Sequence, residues 1–254
     1  MGSEQAIYFK KGAKMLKAVV YDFDGTLTPE PVPKFKILEQ SGLEGGTGNP
    51  KFFAMVRELS QREKIDIYRA IVLVILDIVG KAGFPLTDES IGLGASERAF
   101  NPGVEGFFDR LQRKGIKNYL LSSGSQAYLK QLKIAPYFTK IYATTLSYDE
   151  DGIVTGIEHV MTDTEKAVAL QEIALQLNGN KDDFSGIVYV GDGPTDVDAM
   201  KHIKQYGGGA ILVKPKAGES NLPDFDTDMV DLVTETDFTE DSELAAYIKD
   251  IITS

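Results

Sequence analysis

Four short apolar runs, most of them stopping abruptly at serine, glycine or carboxylates, constrain this chain more than any other feature. Residues 16–21 end in Asp22-Phe23-Asp24-Gly25-Thr26, residues 116–121 in Ser122-Ser123-Gly124, and residues 187–190 in Gly191-Asp192-Gly193; the fourth run spans 210–213. Continuous β-branched and apolar runs of this length read as strands buried on both faces. The stretches 103–114, 125–133, 163–177, 195–204 and 242–252 carry helical spacing. Strands alternating with helices predict an α/β fold, a parallel sheet with helices on both faces in a three-layer, Rossmann-like core. At the first of these helices, Asn101 is expected to cap and Pro102 to occupy the opening turn.

Residues 33–100 break the alternation. They lack a strand pattern and carry long helical candidates at 51–60 and 63–81, with Pro29, Pro31 and Pro33 at their start and a glycine-rich stretch, 42–48, between the first two helices. The expected organisation is a core formed by 1–32 and 101–254, with a mostly helical domain, 33–100, inserted after the first strand. A second irregularity, 140–155, has two β-rich runs around Asp149-Glu150-Asp151-Gly152, which reads as a hairpin with a solvated turn.

Composition narrows the chemistry. The formal charge of -11, from 27 Lys+Arg against 38 Asp+Glu, argues against nucleic acid or anionic membrane as a partner. With no cysteine there are no disulfides, thiolate metal sites or thiol nucleophiles, and the two histidines, His159 and His202, stand in unrelated segments. The most apolar segment, 70–76, is bounded by Arg69 and Asp77, far short of the ~20 residues that span a bilayer. Residues 1–14 contain no apolar stretch of signal-peptide type, so the expected location is cytoplasmic.

The polar stops are where chemistry concentrates. In an extended chain, residues two apart point the same way, so Asp22 and Asp24 face one side and Phe23 the other. Two carboxylates at the carboxyl edge of a parallel sheet can divide attack or metal binding from proton transfer. The glycines flanking Asp192 allow a tight turn, and Asp196 falls in the first turn of the next helix, where capping is a competing role. Oxygen ligands at two strand ends, without cysteine and with histidine scarce, favour Mg²⁺. Ser122 and Lys166 add a hydroxyl and a point charge suited to phosphate oxygens.

In combination and in order, Asp-x-Asp-Gly-Thr, an apolar run ending in Ser, Lys, and Gly-Asp-Gly-x-x-Asp resemble the haloacid dehalogenase superfamily over nearly the whole chain. The helical insert is similar to its C1 cap, and the hairpin near Asp151 to its phosphoserine phosphatase-like branch. The resemblance implies a phosphatase in which Asp22 is the nucleophile and Asp24 the acid and base. It implies that Thr26, Ser122, Ser123, Gly124 and Lys166 form the phosphate-binding set. It further implies that Asp22, Asp192 and the carbonyl of Asp24 hold Mg²⁺, with Asp196 in support. The presence of Asp24 argues against the dehalogenase branch.

The implied substrate is a small phosphorylated metabolite. Arg57, Arg62, Lys64, Arg69 and Arg98 are candidates to meet a second anionic group on it, and Glu30 with Arg57 stand near the places that recognise an amino acid in phosphoserine phosphatases. Two other readings remain: a phosphomutase of sugar phosphates, and a non-catalytic module that binds phospho-ligands. Release of inorganic phosphate separates the first from a hydrolase, and the complete acidic and lysine set argues against the second.

Overall fold

The protein is described here by a computed structural model covering residues 15–29, 35–214 and 229–253. Its strands, β1 (Ala18–Tyr21), β2 (Lys117–Ser125), β3 (Phe138–Tyr148), β4 (Val154–His159), β5 (Ile187–Gly191), β6 (Gly209–Lys214) and β7 (Leu232–Glu235), form one sheet in the order β4-β3-β2-β1-β5-β6-β7. Every neighbouring pair is parallel except β3 and β4. β1 lies at the centre, Val20 facing Tyr119 of β2 on one side and Tyr189 of β5 on the other. Paired on both edges and covered on both faces, it is wholly buried, which is why its sequence does not alternate.

The two faces hold separate cores. Val19 and Tyr21 belong to a cluster with Phe107, Phe108 and Leu111 of α5 (Val104–Arg113) and with Tyr247 and Ile248 of α9 (Glu243–Thr253). Ala18 and Val20 belong to the opposite cluster, with Leu170 and Ile173 of α7 (Asp163–Asn178) and Ala199 and Met200 of α8 (Val197–Gln205). Three layers result, as the strand and helix alternation predicts.

Between β1 and β2 the described chain is helical: α1 (Lys36–Gln40), α2 (Pro50–Glu63), α3 (Ile67–Lys81) and α4 (Asp88–Ile91). Asn49 caps α2 by accepting the Lys51 N–H at 3.0 Å, with Pro50 at the first helical position. The two helices expected over 51–60 and 63–81 both form, but the break between them falls later, at residues 64–66. Lys64 takes a left-handed conformation (φ 54°) and ends α2, and Asp66 opens α3 by accepting the Arg69 N–H at 2.8 Å. Phe52 and Val56 of α2 share the first core with Ala70, Val74 and Val79 of α3. Pro31 and Pro33 lie outside the described residues, as does Glu30.

Other boundaries also depart from expectation. Asn101 does not cap α5, which starts at Val104 after Gly103 in a left-handed conformation; its side-chain amide donates instead to the Thr26 carbonyl at 2.8 Å. β2 runs on through Ser125 by way of a bulge, so the helix expected over 125–133 shrinks to α6 (Gln126–Leu129). A 3-10 turn, Pro194–Asp196, precedes α8. β7 is a half-buried edge strand without an apolar run and was not anticipated. The hairpin forms as expected, its turn shaped by the Asp149 carboxylate accepting the N–H groups of Asp151 (3.1 Å) and Ile153 (2.8 Å). It reaches the helical segment through a bond from the Val154 N–H to the Leu86 carbonyl, 2.8 Å. Among the described residues no helix is long and apolar enough to cross a membrane.

Candidate active site

The loops after β1, β2 and β5, together with the start of α7, converge at the carboxyl edge of the sheet. Because β1 lies between β2 and β5, the first three apolar runs deliver their polar stops side by side. Lys166 comes from α7, whose start is fixed by Thr162 accepting the Glu165 N–H at 3.4 Å. The helix thereby points its fourth residue into the sheet edge, and Lys166 is only 1% exposed where a surface helix would leave it solvated.

Lys166 bridges two carboxylates. Its ammonium donates to Asp22 Oδ1 at 2.8 Å and to Asp196 Oδ1 at 2.7 Å. Asp196 is fully engaged: Oδ1 also accepts the Tyr189 hydroxyl at 2.6 Å, and Oδ2 accepts the N–H groups of Asp192 (3.2 Å) and Gly193 (3.3 Å). Asp196 therefore holds Lys166 and the β5 loop in place, and a Cβ on Gly191 would stand 2.5 Å from its carboxylate. Thr26 is fully buried, and its hydroxyl donates to Asp192 Oδ1 at 3.1 Å, a partner other than the phosphate its motif implies. Gly25 has φ +85°, and a Cβ there would lie 2.2 Å from Asp192 Oδ2, so only glycine lets the two acidic loops approach this closely.

Asp22, Asp24, Ser122, Ser123, Gly124, Lys166 and Asp192 together floor a cavity of about 340 Å³. Ser122 Oγ accepts the Gly124 N–H at 3.0 Å, which leaves its O–H available to a ligand. Arg98, expected to meet substrate, lies elsewhere. Its side chain is 6% exposed, pairs with Asp24 Oδ1 at 3.4 Å and donates to the Thr28 hydroxyl at 3.2 Å. Arg57, Arg62, Lys64 and Arg69 are exposed and line no part of the cavity.

Burial dominates the electrostatics. It raises the Asp22 carboxyl well above the usual range, with Lys166 opposing and Asp196 and Asp192 adding to the rise. It pushes Asp24 up to about 7 against the pull of Arg98, and Asp192 to about 6, where the charge on Asp196 contributes. Burial disfavours the charge on Lys166, yet Asp22, Tyr189 and Asp196 override it and raise the ammonium well above its ordinary value. Fully ionised, the four carboxylates (Asp22, Asp24, Asp192, Asp196) would outnumber the two cations (Lys166, Arg98) by two, an imbalance that adds to burial in holding Asp22, Asp24 and Asp192 above their ordinary range. Asp22, Asp192 and Asp196 bring carboxylate oxygens within 4.8 Å of one another; with Asp196 committed to its four donors, Asp22 and Asp192 supply the oxygens that fit a hard divalent cation.

Sequence reasoning missed Tyr189, whose signal was a hydroxyl in the middle of a buried strand. It also missed Thr195 and the opposite wall of the cavity, Phe35, Tyr68, Ile71, Val72 and Ile75.

Fold and floor together define a class, α/β proteins that gather carboxylates at the carboxyl edge of a parallel sheet. The sequence profile of the haloacid dehalogenase-like hydrolases matches residues 19–201, and the chain belongs to that family. No curated protein sequence matches it. Among solved structures, a HAD family hydrolase of Salmonella enterica subsp. enterica serovar Typhi aligns with a TM-score of 0.64 at 16% identity, over 89% of this chain and 69% of that one. A phosphoserine phosphatase carrying an analogue of its phospho-aspartyl intermediate gives 0.59 at 18% identity, over 93% and 99%. The cytosolic 5'-nucleotidase IIIB bound to cytidine gives 0.59 at 21%, over 93% and 86%. At such identities the likeness is one of fold.

Proposed function

We propose that the protein is a Mg²⁺-dependent phosphomonoester hydrolase that works through an aspartyl-phosphate on Asp22, with residues 33–100 acting as a cap over the site. The observation that carries this reading is Asp22 held by Lys166 on a cavity floor that Asp24 and Ser122 share. Family membership supports the hydrolase class.

An Asp22 carboxylate oxygen attacks phosphorus while the bond from phosphorus to the ester oxygen breaks. Asp24, whose carboxyl burial lets it carry a proton near neutral pH, protonates the departing alkoxide. Asp24 then takes a proton from water, the water oxygen attacks the same phosphorus, and the bond to Asp22 breaks to give inorganic phosphate. Through both steps Lys166 offsets the charge of nucleophile and phosphoryl group, and the Ser122 hydroxyl donates to a phosphoryl oxygen. Asp22, Asp192 and the Asp24 carbonyl would hold Mg²⁺, which supplies charge neutralisation at the phosphoryl oxygens when bound. Asp196 and Thr26 orient Lys166 and Asp192 respectively.

Phosphate release from a panel of small phosphomonoesters tests the reading. The expected outcome is turnover that is abolished by chelator, restored by Mg²⁺, and lowered at least about 10⁴-fold in Asp22→Asn. An Asp22→Asn protein as active as wild type would sink it.

A further inference from the structure

The cavity is charged at one end only. Tyr68, Ile71, Val72 and Ile75 follow the i, i+3, i+4, i+7 spacing, so they share one face of α3, and with Phe35 they form the wall opposite the carboxylates. Four of these five side chains are hydrocarbon, and the Tyr68 hydroxyl donates to Asp163 Oδ1 at 3.3 Å. No charged side chain of the described helical segment lines the cavity. Arg62 pairs with Glu63 and Arg69 with Asp66 on the outer surface, while Arg98 is spent on Asp24 and Thr28.

Among the described residues this wall offers no partner to the ammonium or the carboxylate of a phosphorylated amino acid, and stripping water from unpaired charges is strongly unfavourable. An uncharged apolar body meets the opposite situation, since its burial against Phe35, Ile71, Val72 and Ile75 is favourable. The volume, about 340 Å³, lies at the small end of ligand sites, which run from roughly 300 to 1,000 Å³.

We infer that the leaving group is an uncharged alcohol with an apolar body about the size of one aromatic ring, so that the substrates are apolar phosphomonoesters rather than phosphorylated amino acids. This rests on the phosphatase reading above, and it overrides the expectation that cationic side chains of the cap select the substrate.

Benzyl phosphate and phosphoserine, which both release primary alcohols, provide the test. With Mg²⁺, kcat/KM for benzyl phosphate is expected to exceed that for phosphoserine by about 100-fold or more. In Ile71→Gln, at a half-buried position, that ratio should fall at least about tenfold. Asp22-dependent turnover in which phosphoserine equals or beats benzyl phosphate, or a ratio that Ile71→Gln leaves unchanged, overturns the inference and leaves the phosphatase reading standing. If neither ester is hydrolysed, calorimetric binding of the methylene phosphonate isosteres of both esters decides the pocket, and the phosphatase reading fails only if the rest of the panel is inert as well. Binding at least about tenfold tighter for the benzyl isostere supports the apolar wall; equal or absent binding overturns it.

Discussion

The floor and the far wall of the cavity are built on opposite principles. On the floor every placement is directional: Lys166 lies between two carboxylates, and Asp196 accepts from four donors. The wall contributed by α3 has almost no directional bonds, and its character comes from which helical face points inward. A hydrogen-bonded, low-dielectric network fails when one member is removed, because its neighbours are left buried and unsatisfied. An apolar face tolerates replacement and changes only what it prefers to contact. Chemistry and selectivity are thus separable in this molecule.

The comparison breaks most visibly at Lys166. Lys166→Met strips the buried counter-charge from both Asp22 and Asp196, and the expected loss of stability is about 3–5 kcal/mol. Urea unfolding in chelator measures it. A double-mutant cycle with Asp196→Asn should recover a substantial part of the loss, since one of the stranded carboxylates is then neutral. If Lys166→Met were as stable as wild type, the floor would not be the tightly determined network described here.

A smaller effect is expected at Tyr189, where the interaction is one hydroxyl. Tyr189→Phe keeps the ring in the core and removes the 2.6 Å bond to Asp196, which retains its other three donors. The loss should be about 1–2 kcal/mol in thermal or urea unfolding, with turnover reduced only several-fold because Lys166 still has both carboxylates. A loss as large as that of Lys166→Met would place Tyr189 among the indispensable members of the network.

The same division explains what could be read in the sequence. Strand ends, glycines and carboxylates are local signals, and β1 between β2 and β5 turns four such signals into one site: Asp22, Ser122, Lys166 and Asp192 come together as their motifs imply. The partner of a side chain is not local. Arg98 reads as one cation among several, but only the folded chain brings it to Asp24, across 74 residues, and Asn101 reads as a helix cap although its amide is spent on Thr26. The apolar wall was illegible for another reason. Residues 70–76 are apolar around most of the helix, and Ile75 belongs to the core cluster while it also lines the cavity, so periodicity could not mark out the cavity-facing positions. The break between the two helices was legible but placed a few residues early, because it depends on Lys64, a left-handed residue that is not glycine and so carries no local signal. β7 lacks a hydrophobic run because it is a half-buried edge strand.

The smallest effect is expected at Arg57, a candidate by resemblance for the arginine that recognises an amino acid in phosphoserine phosphatases. Here Arg57 is exposed on α2 and lines no part of the cavity. Arg57→Ala should therefore change stability by no more than about 0.5 kcal/mol, the usual range for surface substitutions, and kcat/KM by less than about twofold for any ester in the panel. Steady-state kinetics with phosphoserine are the most sensitive check, because an arginine that bound the substrate carboxylate would raise KM for that ester alone. A selective loss of that kind would mean that α2 turns Arg57 inward when substrate binds, and the apolar wall would then be only part of the selecting surface.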